Sequence, residues 1–295
     1  MFDYAALAAL VEIGRAGAFD AAARALGVTP SAVSQRVREL EQRMGATLVV
    51  RGRPCALTDL GARLARHAEE VALMEARLAP DPPAAARAAR LTLAVNADSL
   101  ATWLPQALAR TPDLLFDLRV ADQDETADLL RAGEVAGAIS ADASPIQGCD
   151  AAGLGRMRYV ATASPDFARR WFPQGPTRSA IAAAPQLVFG RKDQLQSRWI
   201  AGELRGPPPP APTHFIPSTH AFLGAARAGL GWGLNPLALA APDIAAGSLV
   251  ALSPRPLDVE LYWRAPRRLR PALAMLRRAL IETARERLEP RINKS

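Results

Sequence analysis

The chain has 295 residues and a formal net charge of +7. This length predicts about two domains. No apolar run reaches the ~18 residues of a membrane helix, and the N-terminus lacks the basic and apolar regions of a signal peptide. The two cysteines, Cys55 and Cys149, lie far apart in sequence, which is typical of reduced thiols rather than of a disulfide framework or a metal site. We therefore expect a cytoplasmic protein without a metal or a cofactor.

The positive charge is almost entirely arginine, since Lys192 and Lys294 are the only lysines. With abundant Ala and Pro, this composition is typical of a GC-rich genome. The net charge therefore permits nucleic-acid binding without proving it, and the positions of the arginines are more informative than their number.

The first part of the chain predicts three helices. Residues 4–14 carry an apolar stripe at helical spacing. A second, Ala-rich helix begins near Phe19 and ends at Gly27. A third begins at Thr29 and Pro30, because Thr suits the cap and Pro suits the first helical position. Two helices joined by so tight a turn predict a helix-turn-helix.

The third helix has an apolar face and a polar face. The apolar residues Val33, Val37, Leu40 and Met44 predict burial against the first helices. The polar groups lie near the helix N-terminus, the end that a recognition helix presents to base edges. The candidate DNA-binding residues of this helix are Ser31, Ser34, Gln35, Arg36 and Arg38. The alternative is a small helical bundle with a solvated polar face.

A wing follows the third helix. Residues 48–50 predict a short strand, and Gly52 with Pro54 predicts a turn. This wing would carry Arg51 and Arg53 to the phosphates beside the groove. Residues 1–57 are therefore interpreted as a winged helix-turn-helix DNA-binding domain.

The run from Ala21 and Ala22 through Thr29 to Arg36, followed by Leu40, Glu41 and Gly45, resembles LysR-type transcriptional regulators. The resemblance extends over residues 1–78 and implies a sequence-specific DNA-binding regulator. One departure is Ala18, where many members carry a helix-capping Ser. The missing cap costs about 1 kcal/mol of local stability.

A long helix begins at Thr58, which can cap it. Its apolar stripe consists of Leu57, Leu60, Leu64, His67, Val71, Met74 and Leu78. Steps of three and four are typical of a coiled-coil seam and predict a dimer interface; the alternative is a helix packed on its own domain. The proline-rich run 79–83 predicts a hinge, so residues 58–89 are assigned to a linker helix and hinge.

From Arg90 onwards the pattern changes to alternating strands and helices, which predicts parallel α/β sheets. We interpret residues 90–295 as a two-lobed α/β domain of the periplasmic-binding-protein type. Lobe I would span about 90–163 and 267–290, and lobe II about 164–266. The predicted strands cover residues 91–95, 114–121, 135–140, 159–162, 186–189, 214–216, 230–234 and 259–263.

Polar side chains follow several of these strands. In open α/β sheets, ligands bind beyond the carboxyl ends of the strands. The candidate effector-binding residues at these ends are Asn96, Asp98, Ser99, Asp122, Asp124, Glu125, Ser218 and Thr219. Helix N-termini suit a carboxylate, and the acids suit cationic groups, so the set predicts a site for a basic amino acid. The alternative is a set of solvated caps and loop acids.

Further motifs resemble the ArgP/LysG branch of LysR-type regulators. They are residues 96–104, residues 133–140, the pair Phe172 and Pro173 with residues 177–180, and residues 261–263. The resemblance implies lysine or arginine as the effector and a gene for amino-acid export as the target. His220 departs from the branch, which carries Glu there, and the lost acid implies weaker or altered cation binding.

The expected partners are double-stranded operator DNA and the small effector. The linker helix implies a homodimer that assembles further into a homotetramer, and RNA polymerase is a further candidate partner. The chain has three histidines, His67, His214 and His220. The sequence has no nucleophile-elbow, phosphate-loop or metal-ligand spacing, so we expect that the protein is not an enzyme. The alternatives are a family member that responds to a different small molecule and a nucleoid-type DNA-binding protein of low specificity.

Overall fold

The N-terminal domain consists of helices and a short wing. The computed structural model describes residues 2–75 and 89–291, without the side chains of residues 89, 123 and 124. The elements of this domain are α1 (Tyr4–Ala16), α2 (Phe19–Leu26), α3 (Pro30–Met44), β1 (Val49–Val50), β2 (Ala56–Leu57) and α4 (Asp59–Glu75). These bounds confirm the predicted helix-turn-helix and wing.

Local signals explain where these helices begin and end. Thr29 caps α3, because its hydroxyl accepts a hydrogen bond from the backbone N–H of Ala32 at 3.3 Å. Thr58 caps α4 in the same way. Gly27 and Gly45 end α2 and α3 with φ angles of 67° and 64°, a conformation that glycine adopts at little steric cost.

Helix α3 packs on the core through one face and is hydrogen-bonded to the wing through Glu41. Val33, Val37 and Leu40 are buried as predicted, whereas Met44 is only partly buried against the same core. The carboxylate of Glu41 accepts hydrogen bonds from the backbone N–H groups of Leu48 at 2.8 Å and Val49 at 3.2 Å. The wing is therefore hydrogen-bonded directly to α3, the helix that is predicted to enter the DNA major groove.

Helix α4 packs on its own domain over its first half, which corrects the prediction of one continuous dimer seam. Leu64 is buried in the core of the helix-turn-helix, and Leu60 packs against that core. His67 is instead exposed beside Phe2, with ring centroids 6.1 Å apart. The stripe divides because the helix must first cover the core of its own domain. Leu78 lies outside the described residues.

The C-terminal domain alternates strands and helices. The strands are β3 (Ala89–Val95), β4 (Leu114–Val120), β5 (Gly137–Ser140), β6 (Cys149–Ala163), β7 (Gln186–Val188), β8 (Thr213–Phe215), β9 (Gly233–Pro236), β10 (Val250–Ala251) and β11 (Leu257–Pro266). The helices are α5 (Ala97–Ala101), α6 (Leu104–Leu108), α7 (Gln123–Arg131), α8 (Pro165–Trp171), α9 (Arg178–Ala183), α10 (Leu195–Leu204), α11 (Thr219–Arg227), α12 (Leu237–Ala245) and α13 (Ala274–Arg287). A 3-10 turn covers Arg267–Leu269.

The main sheet of this domain has the strand order β10-β6-β11-β5-β3-β4, and β9 also pairs with β6. Strands β3, β4 and β5 are parallel, as are β7 and β8 in a separate sheet. The pairings of β6 and β11 are antiparallel, so the prediction of parallel sheets is right for only part of the domain. The difference arises because the two long strands β6 and β11 pair antiparallel with each other along most of their length. Helical crossovers instead join strands that are parallel.

Strands β6 and β11 connect two lobes. On the predicted bounds, lobe I contains β3, β4 and β5, and lobe II contains β7 to β10. Residues 262–264 of β11 pair with β5, while β6 pairs with both β9 and β10. The main sheet is continuous through these two strands, so the lobe bounds near residues 163 and 266 stay predictions.

The end of α4 packs against lobe I. Leu73 is buried in the same apolar core as Leu91 of β3 and Leu269. Arg268 donates hydrogen bonds from Nε and Nη2 to the carboxylate of Glu70, at 3.0 and 2.6 Å. These contacts join the C-terminal domain to the helix that carries the DNA-binding domain. Within residues 2–75 and 89–291, no helix has both the length and the apolar character of a membrane span.

Candidate recognition surface and interlobe cleft

The polar face of α3 is exposed beside the wing. Among its candidates, Ser31, Gln35 and Arg38 are exposed, and Ser34 and Arg36 are partly buried. Ser31, Ser34, Gln35 and Arg38 lie three and four residues apart and therefore share one face of the helix. Arg36 points away from that face by helical spacing. Arg51 and Arg53 are exposed in the turn between β1 and β2.

Three contacts order this surface. The guanidinium of Arg51 lies over the ring of Phe19, 5.3 Å from its centroid. Since Phe19 opens α2, the stacking ties the tip of the wing to the helix-turn-helix. On α3, the amide of Gln35 donates from Nε2 to Glu39 at 2.7 Å and accepts from Arg38 at 3.3 Å. The surface therefore holds its candidate base-reading group in a defined orientation.

In the C-terminal domain, Asp98 joins elements of both lobes. It lies in the first turn of α5, directly after β3. Its Oδ1 accepts a hydrogen bond from the hydroxyl of Thr219, in α11 of lobe II, at 2.7 Å. Its Oδ2 accepts a hydrogen bond from the hydroxyl of Tyr159, in β6, also at 2.7 Å. The carboxylate thus lies where the N-termini of α5 and α11 meet between the lobes.

The charged side chain that most affects Asp98 is another acid, while Arg198 acts on the neighbouring Tyr159. Burial raises the pKa of Asp98 above its ordinary value of 3.8, although the two hydroxyl donors act to lower it. The negative charge of Asp193 raises the pKa of Asp98 further. Burial, together with the charge of Asp98, also raises the pKa of Tyr159 well above its ordinary value, so that hydroxyl stays protonated and donates. Such a site favours the approach of a cation.

The two other candidates after β3 have different environments. Asn96 is partly buried, and its Oδ1 has no hydrogen-bond partner among the described residues. It is therefore an acceptor that a ligand N–H group can satisfy. Ser99 is fully buried, and its hydroxyl accepts the indole N–H of Trp103 at 3.1 Å. This burial works against the predicted contact of Ser99 with a ligand carboxylate.

The acidic stretch after β4 forms the cap of α7. Asp122 accepts a hydrogen bond from the backbone N–H of Glu125 at 3.0 Å. Its other oxygen lies 3.5 Å from Nζ of Lys192, which belongs to the segment between β7 and α10 in lobe II. The side chain of Glu125 is exposed, and that of Asp124 lies outside the described residues. Of the two acids in this group whose side chains are described, Asp122 is the one placed across from the other lobe by a contact.

In lobe II, Ser218 caps α11 by accepting the backbone N–H of Ala221 at 3.4 Å. Thr219, the next residue, contacts Asp98, and His220 is exposed. The sequence did not predict three residues that the structure places in this region, namely Tyr159, Lys192 and Asp193. Each has the sequence pattern of an ordinary strand or loop residue, and only its contact or charge interaction with Asp98 or Asp122 reveals it.

Comparisons with known proteins agree with both parts of the structure. Residues 4–62 match the family "Bacterial regulatory helix-turn-helix protein, lysR family", and residues 84–285 match the "LysR substrate binding domain". The HTH-type transcriptional regulator LysG of Mycobacterium tuberculosis is 46% identical over 262 residues, which cover 88% of this chain and 85% of that protein.

Solved structures extend the similarity to the whole chain. ArgP from Mycobacterium tuberculosis has a TM-score of 0.77 and 42% identity, with coverage of 99% of this chain and 100% of that one. Full-length LysG from Corynebacterium glutamicum with bound effector Arg has a TM-score of 0.65 and 36% identity, with coverage of 98% and 100%. The fold, the two matched domains and these identities agree: the chain belongs to the LysR family of transcriptional regulators.

Proposed function

We propose that this regulator binds operator DNA through α3 and the wing and responds to a basic amino acid, lysine or arginine, bound between the lobes. The observation that carries the effector assignment is the placement of Asp98. A partly buried carboxylate of lobe I meets Thr219 of lobe II at 2.7 Å, and the charged side chain that most affects it is another acid, Asp193. Such a site stabilises a cation and disfavours an anion.

An amino acid fits the polar groups around Asp98. Its cationic group would pair with the Asp98 carboxylate, and a second N–H donor would satisfy the buried Oδ1 of Asn96. Its carboxylate would meet the N-terminus of α11, where unpaired backbone N–H groups favour negative charge. The bound arginine in the LysG structure from Corynebacterium glutamicum supports this choice of ligand.

Ligand binding between the lobes would act on DNA through α4. A ligand that contacts both lobes favours the arrangement in which they approach each other. Lobe I in turn contacts α4 through Leu73 and through the ion pair of Arg268 with Glu70. A shift of lobe I would therefore move the helix that leads into the DNA-binding domain.

On DNA, the proposed base-reading residues are Ser31, Ser34, Gln35 and Arg38, and the proposed phosphate-binding residues are Arg36, Arg51 and Arg53. Paired recognition helices would read half-sites spaced by the helical repeat of DNA.

The homodimer would form through the exposed part of α4, where Met74 is 42% exposed, and two dimers would form the tetramer. We propose that the regulator acts in the cytoplasm at the promoter of an amino-acid exporter gene, with RNA polymerase as a partner. The relative from Corynebacterium glutamicum, named a lysine export transcriptional regulatory protein and 38% identical, supports the exporter target.

A thermal-shift titration of the purified chain with the common amino acids tests the effector assignment. A ligand at a hundred times its dissociation constant stabilises the protein by about 2.7 kcal/mol. We expect lysine or arginine to raise the melting temperature and neutral amino acids to leave it unchanged. A shift with a neutral or acidic amino acid, or no shift with lysine and arginine, would contradict the assignment.

A further inference from the structure

Three polar side chains form a chain of hydrogen bonds on the exposed face of α3. Nε2 of Gln35 donates to Oε1 of Glu39 at 2.7 Å, and Nη2 of Arg38 donates to Oε1 of Gln35 at 3.3 Å. The three residues are exposed. Because they lie three and four positions apart on one helix, the contacts depend on no other element of the fold.

The charges at the two ends of this chain set the direction of the Gln35 amide. A carboxylate lies at the Nε2 end, and a guanidinium lies at the Oε1 end. If the amide were reversed, its oxygen would face the Glu39 carboxylate and its NH2 group would face the guanidinium of Arg38. Both contacts would change from attractive to repulsive, so the two charged neighbours select one orientation.

The hydrogen bonds leave Gln35 with a defined capacity for a base. Its NH2 group has two hydrogens, of which Glu39 takes one, and its oxygen has two lone pairs, of which Arg38 takes one. One donor and one acceptor remain side by side. This is the pair that matches N7 and the N6 amino group of adenine in the major groove.

We propose that Glu39 is a positioning residue that orients the Gln35 amide and thereby sets which base pair Gln35 reads. The proposal rests on the proposed base-reading role of Gln35. In this arrangement Glu39 does not contact the base. It fixes the order in which donor and acceptor lie along the groove, so an adenine on one strand is accepted and the reversed pair is rejected.

The test measures base discrimination with the full chain. The wild type first selects its operator from a random duplex library, and each variant is then titrated with the operator, with operators changed at single base pairs and with random DNA, at one salt concentration. Glu39→Ala should lower discrimination about tenfold at the base pair that Gln35→Ala also affects. Glu39→Gln keeps an acceptor at the same place and should retain most of the discrimination.

A charge control separates positioning from simple electrostatics. Asp20→Ala removes an equal charge from an exposed site on α2, at the neighbouring helix. It should change affinity for every duplex by a similar factor and leave discrimination unchanged. In the double variant Glu39→Ala with Gln35→Ala, discrimination should fall no further than in Gln35→Ala alone.

The outcomes distinguish the two levels of the proposal. If Glu39→Ala behaves like Asp20→Ala while Gln35→Ala loses discrimination, then Gln35 reads a base and the positioning role of Glu39 is wrong. If Gln35→Ala keeps full discrimination, the base-reading role of Gln35 is wrong and the positioning role falls with it. Melting temperatures of the variants identify any that fail to fold. If Glu39→Ala is one of them, Glu39→Lys provides the measurement, because it replaces the acceptor at this place with a cationic donor and should lower discrimination at the same base pair.

Discussion

Replacing Asp98 with Asn should weaken the binding of basic amino acids without weakening the fold. The carboxylate accepts one hydrogen bond from Thr219 and one from Tyr159. Asn keeps an oxygen for Thr219, and its NH2 group can donate to the Tyr159 hydroxyl oxygen, so both contacts have a replacement. Only the negative charge is removed.

The magnitude follows from the lost ion pair. A hydrogen bond to a charged group contributes about 1.5–3 kcal/mol, so the affinity for lysine or arginine should fall by about 10- to 150-fold. Isothermal titration calorimetry measures this affinity, and differential scanning calorimetry checks that the melting temperature is not lowered. Asp117→Asn, an exposed change on β4 of the same lobe, is the matched control and should bind the ligand like the wild type. Unchanged ligand affinity in Asp98→Asn would refute the role of Asp98.

Three further predictions concern pH, coupling and specificity. The pKa of Asp98 is raised above 3.8, so the affinity of the protein for lysine should weaken as the pH falls through that pKa. Without ligand, the free energy of unfolding should fall as the pH rises through the same window, because the carboxyl of the unfolded chain releases its proton at a lower pH than that of the folded chain. Both trends should vanish in Asp98→Asn titrations. Arg268→Ala breaks a partly exposed ion pair with Glu70 and should cost at most about 1 kcal/mol by calorimetry, yet it should reduce the effect of ligand on operator affinity while ligand affinity itself is retained; an undiminished ligand effect would exclude this pair from the coupling. His220→Glu should increase lysine affinity in calorimetry, and an unchanged value would show that this position does not set cation binding.

The DNA-binding domain was predictable because local signals determine it. Thr29 begins α3 and Gly27 ends α2 through contacts within a few residues. The C-terminal domain was harder, because its central pairing is not local. Strand β6 begins at Cys149, ten residues before the predicted strand at Tyr159, and is held by β11 from far along the chain. Helix α12 contains Pro242 in its interior, a residue that argues against a helix in sequence analysis.

In the interlobe site, too, local features were predictable and long-range contacts were not. The position of Asp98 after the first strand was predictable from the general location of ligand sites in α/β sheets. Its hydrogen bond to Thr219 joins residues 121 positions apart, and no local pattern indicates it. Tyr159 was predicted as a strand residue only, since its hydroxyl acquires a role when β6 passes beside α5.

The most direct test compares operator binding with charged ligands and with their neutral isosteres. Footprinting and affinity of the full chain on its selected operator are measured with arginine, citrulline, lysine and norleucine. Citrulline has nearly the shape of arginine without its charge, and norleucine lacks the terminal ammonium of lysine. We expect arginine or lysine to change the footprint or the affinity, and the neutral isosteres to have no effect. An equal effect of the neutral isosteres, or no effect of either basic amino acid, would contradict the central claim that an acidic cleft between the lobes senses a cationic amino acid.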